Sequence, residues 1–435
     1  MTHESRSIRT IGVDQLARVE GEGSLSIEIA GGELADVRLD IFEPPRYFEA
    51  LLRGRDFREA PDITARICGI CPVAYQISAC LALEDACGVT VRDEVRRLRR
   101  LLYCGEWIKS HALHVYLLHA PDFLGLDDAV QLAERDAESL KRGLGLKALG
   151  NKLMETVGGR AIHPVNVRVG GFYSAPSPAA IAELADPLRR GLEAARTTVE
   201  WVSRFDFPEL DGDYRFVALE DPPHYPIDAG RPATSDGLSL SAGELAELVV
   251  EEHVGHSTAL HARLRDHGPY LTGPLARYAL NAETLPPLAT EAAADARLGP
   301  ACRNPFRSIV VRSVELLAAC EEALELVENY EPPEPASDPV PLRDGHGTGA
   351  SEAPRGLLFH SYEIEDGIIR SARIVPPTSQ NQLSMEADLW QVARHGLDED
   401  LDDDDLRERC ERAVRNHDPC ISCAAHFLDV KVNRR

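Results

Sequence analysis

Apolar and polar residues alternate along residues 24–29 and 33–41, with Gly31-Gly32 between the two runs. A period of two marks a strand with one buried face, and two glycines allow the positive φ of a tight hairpin. From about Asp93 the period changes. Val95, Leu98, Leu101, Leu102, Trp107, Ile108, Leu113, Val115, Leu117 and Leu118 recur at helical spacing, which predicts a long helical segment ending near Pro121. Windows 129–157, 178–206, 240–252, 302–329 and 399–416 are dominated by Ala, Leu, Glu and Arg and are predicted helical too. Residues 331–349 are rich in Pro, Gly and charge and read as a loop. Residues 356–364 and 368–375 flank Asp366-Gly367, a strong two-residue turn signal, so a second hairpin is expected. The acidic run 398–405 reads as a solvated face or a helix start. There is no internal repeat. The expected fold is mainly α with small β-elements in a single domain. An N-terminal β-hairpin region spans 8–42, a helical core 60–330, the loop 331–349, a C-terminal hairpin and following segment 350–426, and a short tail 427–435.

Composition narrows the partners. Lys plus Arg is 47 against 71 Asp plus Glu, a formal net charge of −24 over 435 residues. Such acidity argues against nucleic acid or an anionic membrane surface as the main partner. No run approaches the roughly 20 apolar residues that span a bilayer. The start, Met1-Thr2-His3-Glu4-Ser5-Arg6, carries no apolar signal-peptide core, so a cytoplasmic protein is expected.

The cysteines add chemistry. Four of the ten form two Cys-x-x-Cys pairs, Cys68-Gly69-Ile70-Cys71 and Cys420-Ile421-Ser422-Cys423. Two such pairs present four thiolates to a metal. They stand about 350 positions apart, whereas a zinc ribbon closes its pairs across roughly 15–20 residues. A metal here ties the two ends of the chain together. On pattern alone three readings stand: a catalytic metal, a structural zinc, or two unrelated pairs. The single cysteines 80, 87, 104, 302, 320 and 410 read as small buried hydrophobes.

The flanking residues carry a resemblance. Arg66-Ile67-Cys68-Gly69-Ile70-Cys71 and Asp418-Pro419-Cys420-Ile421-Ser422-Cys423-Ala424-Ala425-His426 resemble the two signature motifs of the [NiFe]-hydrogenase large subunit. Arg18-Val19-Glu20-Gly21, the segment 49–56, His163-Pro164 with Gly170-Gly171, Glu352-Ala353-Pro354-Arg355-Gly356 and Pro376-Pro377-Thr378 resemble further family motifs, in the family's order. Cys71-Pro72-Val73-Ala74-Tyr75-Gln76, residues 110–114 and residues 121–125 are similar to the cytoplasmic, bidirectional, NAD(P)-coupled group. Membrane-bound uptake enzymes generally carry His where this chain has Tyr75, and no role is carried over to Tyr75.

The resemblance implies a large-subunit fold with a helical core and peripheral hairpins. Cys68 and Cys420 are then terminal nickel ligands. Cys71 and Cys423 bridge nickel to an iron that carries carbon monoxide and cyanide. Reversible heterolytic cleavage of H2 needs a base: the Cys420 thiolate takes the proton and passes it to Glu20. Arg355 reaches over the iron, with Asp122 and Asp418 holding it, while Pro377 and Thr378 meet the second cyanide. Glu49 and His426, with a main-chain carbonyl near Ile374, hold a magnesium-type ion. His111, His114 and His119 read as helix packing or a proton relay, since their spacing gives no clean metal pair. His163 reads as a core packing or hydrogen-bonding residue.

No other cysteine grouping suits an iron–sulfur cluster, and no dinucleotide fingerprint follows a strand. Electrons are therefore expected to leave through an iron–sulfur small subunit, then through diaphorase subunits to NAD(P). Residues 427–435 read either as a propeptide or as a retained tail, and a maturation endopeptidase and an assembly chaperone are implied as transient partners. The alternative function is an H2-sensing regulatory protein with the same site and little turnover.

Overall fold

The computed structural model describes residues 8–44 and 46–425. Its centre is built from the long helices Asp93–Leu113, Ala137–Gly158, Ala185–Val202 and Ser308–Glu328. Leu101, Leu102, Trp107 and Ile108 meet Leu153, Val314 and Leu317 in one apolar core. The first two helices cross at glycines. A Cβ on Gly150 would sit 2.5 Å from the Gly105 carbonyl oxygen, so only glycine allows this approach.

Two antiparallel three-stranded sheets flank this core. Strands Ile8–Val13, Gly23–Ala30 and Glu33–Ile41 form the N-terminal one, in that order. Its inward residues Leu25, Ile27, Ile29 and Leu39 pack with Met385, Leu389 and Val414 of the helices Pro377–Asp398 and Asp403–Asn416. The second sheet is Gly345–Ala353, Gly356–Glu365 and Ile368–Val375. It lies against the helix Pro72–Cys87, where a Cβ on Gly347 would meet Ala82 O and Ala86 N at 2.2 Å. Among the described residues no helix is long and apolar enough to cross a membrane.

Several sequence expectations need correction. The segment 331–349 is not loop throughout, because Gly345–Ala353 is a strand. Its glycines serve close packing. The window 240–252 divides into the helix Ala242–Leu248 and the strand Val249–Val254, which pairs with Ser257–Leu264. The β-branched Val249 and Val250 favour the strand. The long helical segment ends at Leu124, close to the expected Pro121. A π-helical turn, His114–His119, leads into Ala120–Leu124, and Pro121 lies in that helix's first turn, where its missing N–H is not needed. The window 129–157 is broken at Asp136, whose carboxylate caps Ala137–Gly158 by accepting from Ser139 N. The helices Pro72–Cys87 and Pro377–Asp398 stand outside the predicted windows. The acidic run starts a helix: Asp402 caps Asp403–Asn416 by accepting from the amides of Asp404 and Asp405.

Candidate metal centre

The two cysteine pairs meet. The sulfurs of Cys68, Cys71, Cys420 and Cys423 all lie within 4.8 Å of one another, and all four residues are buried. Cys68 follows a 3-10 turn, Ala65–Ile67. Cys71 immediately precedes the helix Pro72–Cys87, and the amides of Ile70 and Cys71 point at Cys68 Sγ, at 3.3 and 3.4 Å. Cys420 immediately precedes the short helix Ile421–Ala424, which carries Cys423. Cys420 Sγ lies 3.5 Å from Cys68 Sγ.

The electrostatics suit a cation. Hydrogen bonds from the other three thiols hold Cys68 well below the ordinary thiol range against burial. Burial holds Cys420 and Cys423 well above it. Four buried sulfurs therefore cannot all ionise by themselves. A bound metal deprotonates its thiols outright, and soft thiolates suit nickel and iron. None of the four is oxidised to a disulfide. The donor set fits the binuclear centre that the resemblance implies.

Glu20 is beside Cys420. Cys420 Sγ donates to Glu20 Oε2 at 3.1 Å, as does the Ser422 amide at 3.1 Å. The Ile421 amide donates to the Glu20 carbonyl at 2.9 Å. The loop before the strand Gly23–Ala30 is thus stitched to the second cysteine pair.

Arg355 is buried at the turn between strands Gly345–Ala353 and Gly356–Glu365. Its Nε donates to the Asp418 carbonyl at 2.8 Å and Nη2 to Asp418 Oδ1 at 3.0 Å. Burial opposes its charge, but Asp418 and the thiols of Cys420, Cys71 and Cys68 outweigh that and keep it firmly protonated. Its Nη1 is buried without a hydrogen-bond partner. Among the described residues nothing accepts from this donor. Asp418 has φ of 51° immediately before Pro419, a strained turn that presents its carbonyl and carboxylate together to Arg355.

Asp122 takes a different place from the one expected. Its carboxylate accepts from Arg415 at 2.7 and 2.8 Å and from Arg18 at 2.5 Å, not from Arg355. Asp122 lies on Ala120–Leu124, and Arg415 on Asp403–Asn416, so a bidentate pair forms between these helices. Asp122 anchors the strand-side motif that carries Glu20 instead of holding Arg355. Pro377 begins its helix, and Thr378 Oγ1 accepts from the Cys420 amide at 3.0 Å. Both are buried beside the second pair.

Glu49 Oε1 accepts from the Ile374 amide at 2.7 Å. Burial raises the Glu49 carboxyl to about 7. Glu49, Ile374, Cys423 and Ala425 line one small cavity with Arg46 and Ile67. His426 and the tail 427–435 lie outside the described residues.

The histidines serve the C-terminal segment. His114 Nε2 lies 2.9 Å from the Arg415 carbonyl and His119 Nε2 lies 3.0 Å from Asn416 Oδ1. His111 is 3.2 Å from Glu315. Burial lowers all three from the ordinary imidazole value. His163 Nδ1 contacts the Ala65 carbonyl at 2.7 Å, bracing the chain before Cys68.

Sequence reasoning missed four residues. Arg46 donates to the Ile67 carbonyl at 2.9 Å and the Ser422 carbonyl at 2.6 Å, clamping both cysteine loops. Glu106 accepts from the amides of Val73 and Ala74 at 2.6 and 3.0 Å, and Lys109 donates to the Gly69 carbonyl at 3.2 Å. Tyr75 is fully buried, and burial followed by the nearby Cys423 and Cys71 keeps its hydroxyl protonated. The Glu106 and Lys109 positions belong to the helical pattern at 95–118 as polar positions on an otherwise apolar segment. That was the available signal. Arg46 had none.

Comparison with known proteins agrees with this geometry. A family model described as nickel-dependent hydrogenase matches residues 46–150 and 307–426. The chain is 36% identical over 426 residues to sulfhydrogenase 2 subunit alpha of Pyrococcus furiosus, covering 96% of this chain and 99% of that one. It is 27% identical over 476 residues to the NAD-reducing hydrogenase HoxS subunit beta of Cupriavidus necator, covering 97% and 95%. A crystal structure of an NAD+-reducing [NiFe]-hydrogenase in the H2-reduced state superposes with a TM-score of 0.88 at 27% identity, covering 97% of this chain and 100% of that one. With four cysteines in one buried cluster and these matches along almost its whole length, the chain belongs to the nickel-dependent hydrogenase family, as a large subunit.

Proposed function

We propose that this large subunit catalyses H2 ⇌ 2H⁺ + 2e⁻ in either direction at a nickel–iron centre whose iron carries carbon monoxide and cyanide. The reading is carried by one observation: four buried sulfurs within 4.8 Å, one of them donating to Glu20. Cys68, Cys71, Cys420 and Cys423 would together hold the nickel and the iron. When bound, the centre polarises the H–H bond and accepts its electron pair. The protein's own part is the proton. Cys420 Sγ receives it, and Glu20 Oε2, 3.1 Å away, accepts it for export. Arg355 Nη1 and the Thr378 hydroxyl, which also accepts from the Cys420 amide, would be placed to donate to such iron ligands. Glu49 and His426, with a main-chain carbonyl near Ile374, would hold a magnesium-type ion.

Iron–sulfur clusters in a small subunit would carry the electrons away, a reading supported by the six other cysteines standing singly along the sequence. Similarity to NAD-reducing hydrogenases supports diaphorase subunits and NAD(P) as the electron destination. We place the complex in the cytoplasm. A maturation endopeptidase and an assembly chaperone would act before the complex is complete.

Infrared spectroscopy with metal analysis, on protein purified from its native host, tests this. The expected result is iron-bound carbon monoxide and cyanide bands with nickel and iron in equal amounts, together with H2 turnover. One zinc and no such bands would assign the four cysteines to a structural site. Full bands with negligible turnover would favour the H2 sensor.

A further inference from the structure

A second set of metal-ligand side chains stands apart from the cysteine cluster. His256, His261 and Glu386 each bring a ligand atom within 4.8 Å of the others. His256 Nε2 lies 2.8 Å from Glu386 Oε1, and His261 Nδ1 lies 3.8 Å from Glu386 Oε2. Two imidazoles and a carboxylate at such spacing match the donor set of zinc and its neighbours in the first transition row. We propose that His256, His261 and Glu386 form a binding site for a divalent transition-metal ion of the zinc or cobalt type.

Three observations favour an ion over a plain ion pair. His261 is 4% exposed, its Nδ1 faces Glu386 Oε2 at 3.8 Å, beyond hydrogen-bond distance, and among the described residues its Nε2 has no hydrogen-bond partner. A buried ring that leaves a nitrogen unsatisfied is costly unless something orients it for use. The site is reachable, because the His256 side chain keeps 26% of its surface exposed and Glu386 keeps 19%. Three separate parts of the fold also converge there. His256 and His261 lie in the hairpin of strands Val249–Val254 and Ser257–Leu264, Glu386 on the helix Pro377–Asp398, and the Leu39 amide of the N-terminal sheet reaches Glu386 at 3.4 Å.

An ion would fasten the hairpin to the helix that begins at Pro377-Thr378. The same hairpin strand bridges Ala425 through Ala259, so the fastening would brace the segment that follows Cys423. The proposal rests on this geometry and does not depend on the reading of the cysteine cluster.

Cobalt(II) titration of the purified holoenzyme, with its nickel–iron centre already filled, tests the site. The expected result is one added cobalt per chain with weak visible ligand-field bands and no sulfur-to-cobalt charge-transfer band. That distinguishes nitrogen and oxygen donors from cysteine. His256→Gln and Glu386→Gln should each lose the bands at the cobalt concentration that saturates the parent. His395→Gln, an exposed histidine on the same helix, should keep them. Cobalt uptake with sulfur charge transfer, uptake unchanged in both ligand variants, or no uptake by the parent would each overturn the proposal. Because the His256 side chain is partly exposed, its variant is expected to fold, and retained H2 turnover checks that.

Discussion

At the level of single residues, the site depends on where hydrogen-bond donors and acceptors are left open. Glu20 accepts from Cys420 Sγ and from the Ser422 amide, so it is both tied down and in contact with the proton-bearing sulfur. Replacing Glu20 by Gln keeps an oxygen for the Ser422 amide but removes the proton acceptor. H2 oxidation should fall by about 10²–10⁴-fold, the usual worth of a positioned acid–base group. The infrared bands and metal content should stay unchanged. A variant that keeps full activity would exclude Glu20 from the proton path. Residue identity alone did not reveal everything. The role of Glu20 came from a motif resemblance, whereas the clamp formed by Arg46 has no local signature. An arginine that binds two main-chain carbonyls, at Ile67 and Ser422, looks in sequence like any solvated arginine.

The secondary elements show where sequence patterns are ambiguous. Alternating glycines at 345, 347 and 349 read as loop, but they form the strand face that lies on Pro72–Cys87. A Cβ at Gly347 would press against the Ala82 and Ala86 backbone at 2.2 Å, where no side chain can move aside. Gly347→Val should therefore destabilise the fold by at least about 1–3 kcal/mol, the typical cost of overpacking, seen as a lower thermal midpoint. A midpoint unchanged from the parent would mean the sheet does not lie so close. Pro72–Cys87 was missed for a related reason: it is buried on nearly all sides, so it carries no one-sided apolar stripe of the kind that identifies a surface helix. The second cysteine pair and its Asp-Pro turn were legible because their chemistry is local.

Across the whole molecule, the two ends of the chain are joined at the site. Cys68 meets Cys420, Glu20 meets Cys420, Arg18 and Asp122 meet Arg415, and Arg46 meets Ala425. Burial also gives the fold a pH signature. His360 is fully buried and lowered to about 3, against an ordinary value of about 6.5. Below about 6.5 the unfolded chain takes up a proton at this residue that the folded chain does not. The slope of stability against pH is therefore positive in that range, and stability is lost as pH falls from about 6.5 toward 3. His360→Gln removes this one contribution. In denaturant titrations its stability should decline less than the parent's between pH 6.5 and pH 5, whatever the offset from losing the contact with Tyr362 at 2.9 Å. Equal slopes would show that His360 is protonated in the fold.

The sequence by itself determined the chemistry that depends on near neighbours: the two Cys-x-x-Cys loops, the hairpins at Gly31-Gly32 and Asp366-Gly367, and the helical core between them. It also carried the resemblance that named Glu20, Arg355 and Thr378. Only the tertiary structure decided which distant groups meet. It directed Asp122 to Arg415 and Arg18 instead of Arg355, and it left Arg355 Nη1 free. It also brought His256 and His261 to Glu386. Spacing within a turn or helix is set by local backbone geometry and is therefore legible along the chain. A contact between residues hundreds of positions apart depends on how whole layers pack, and no local period encodes it.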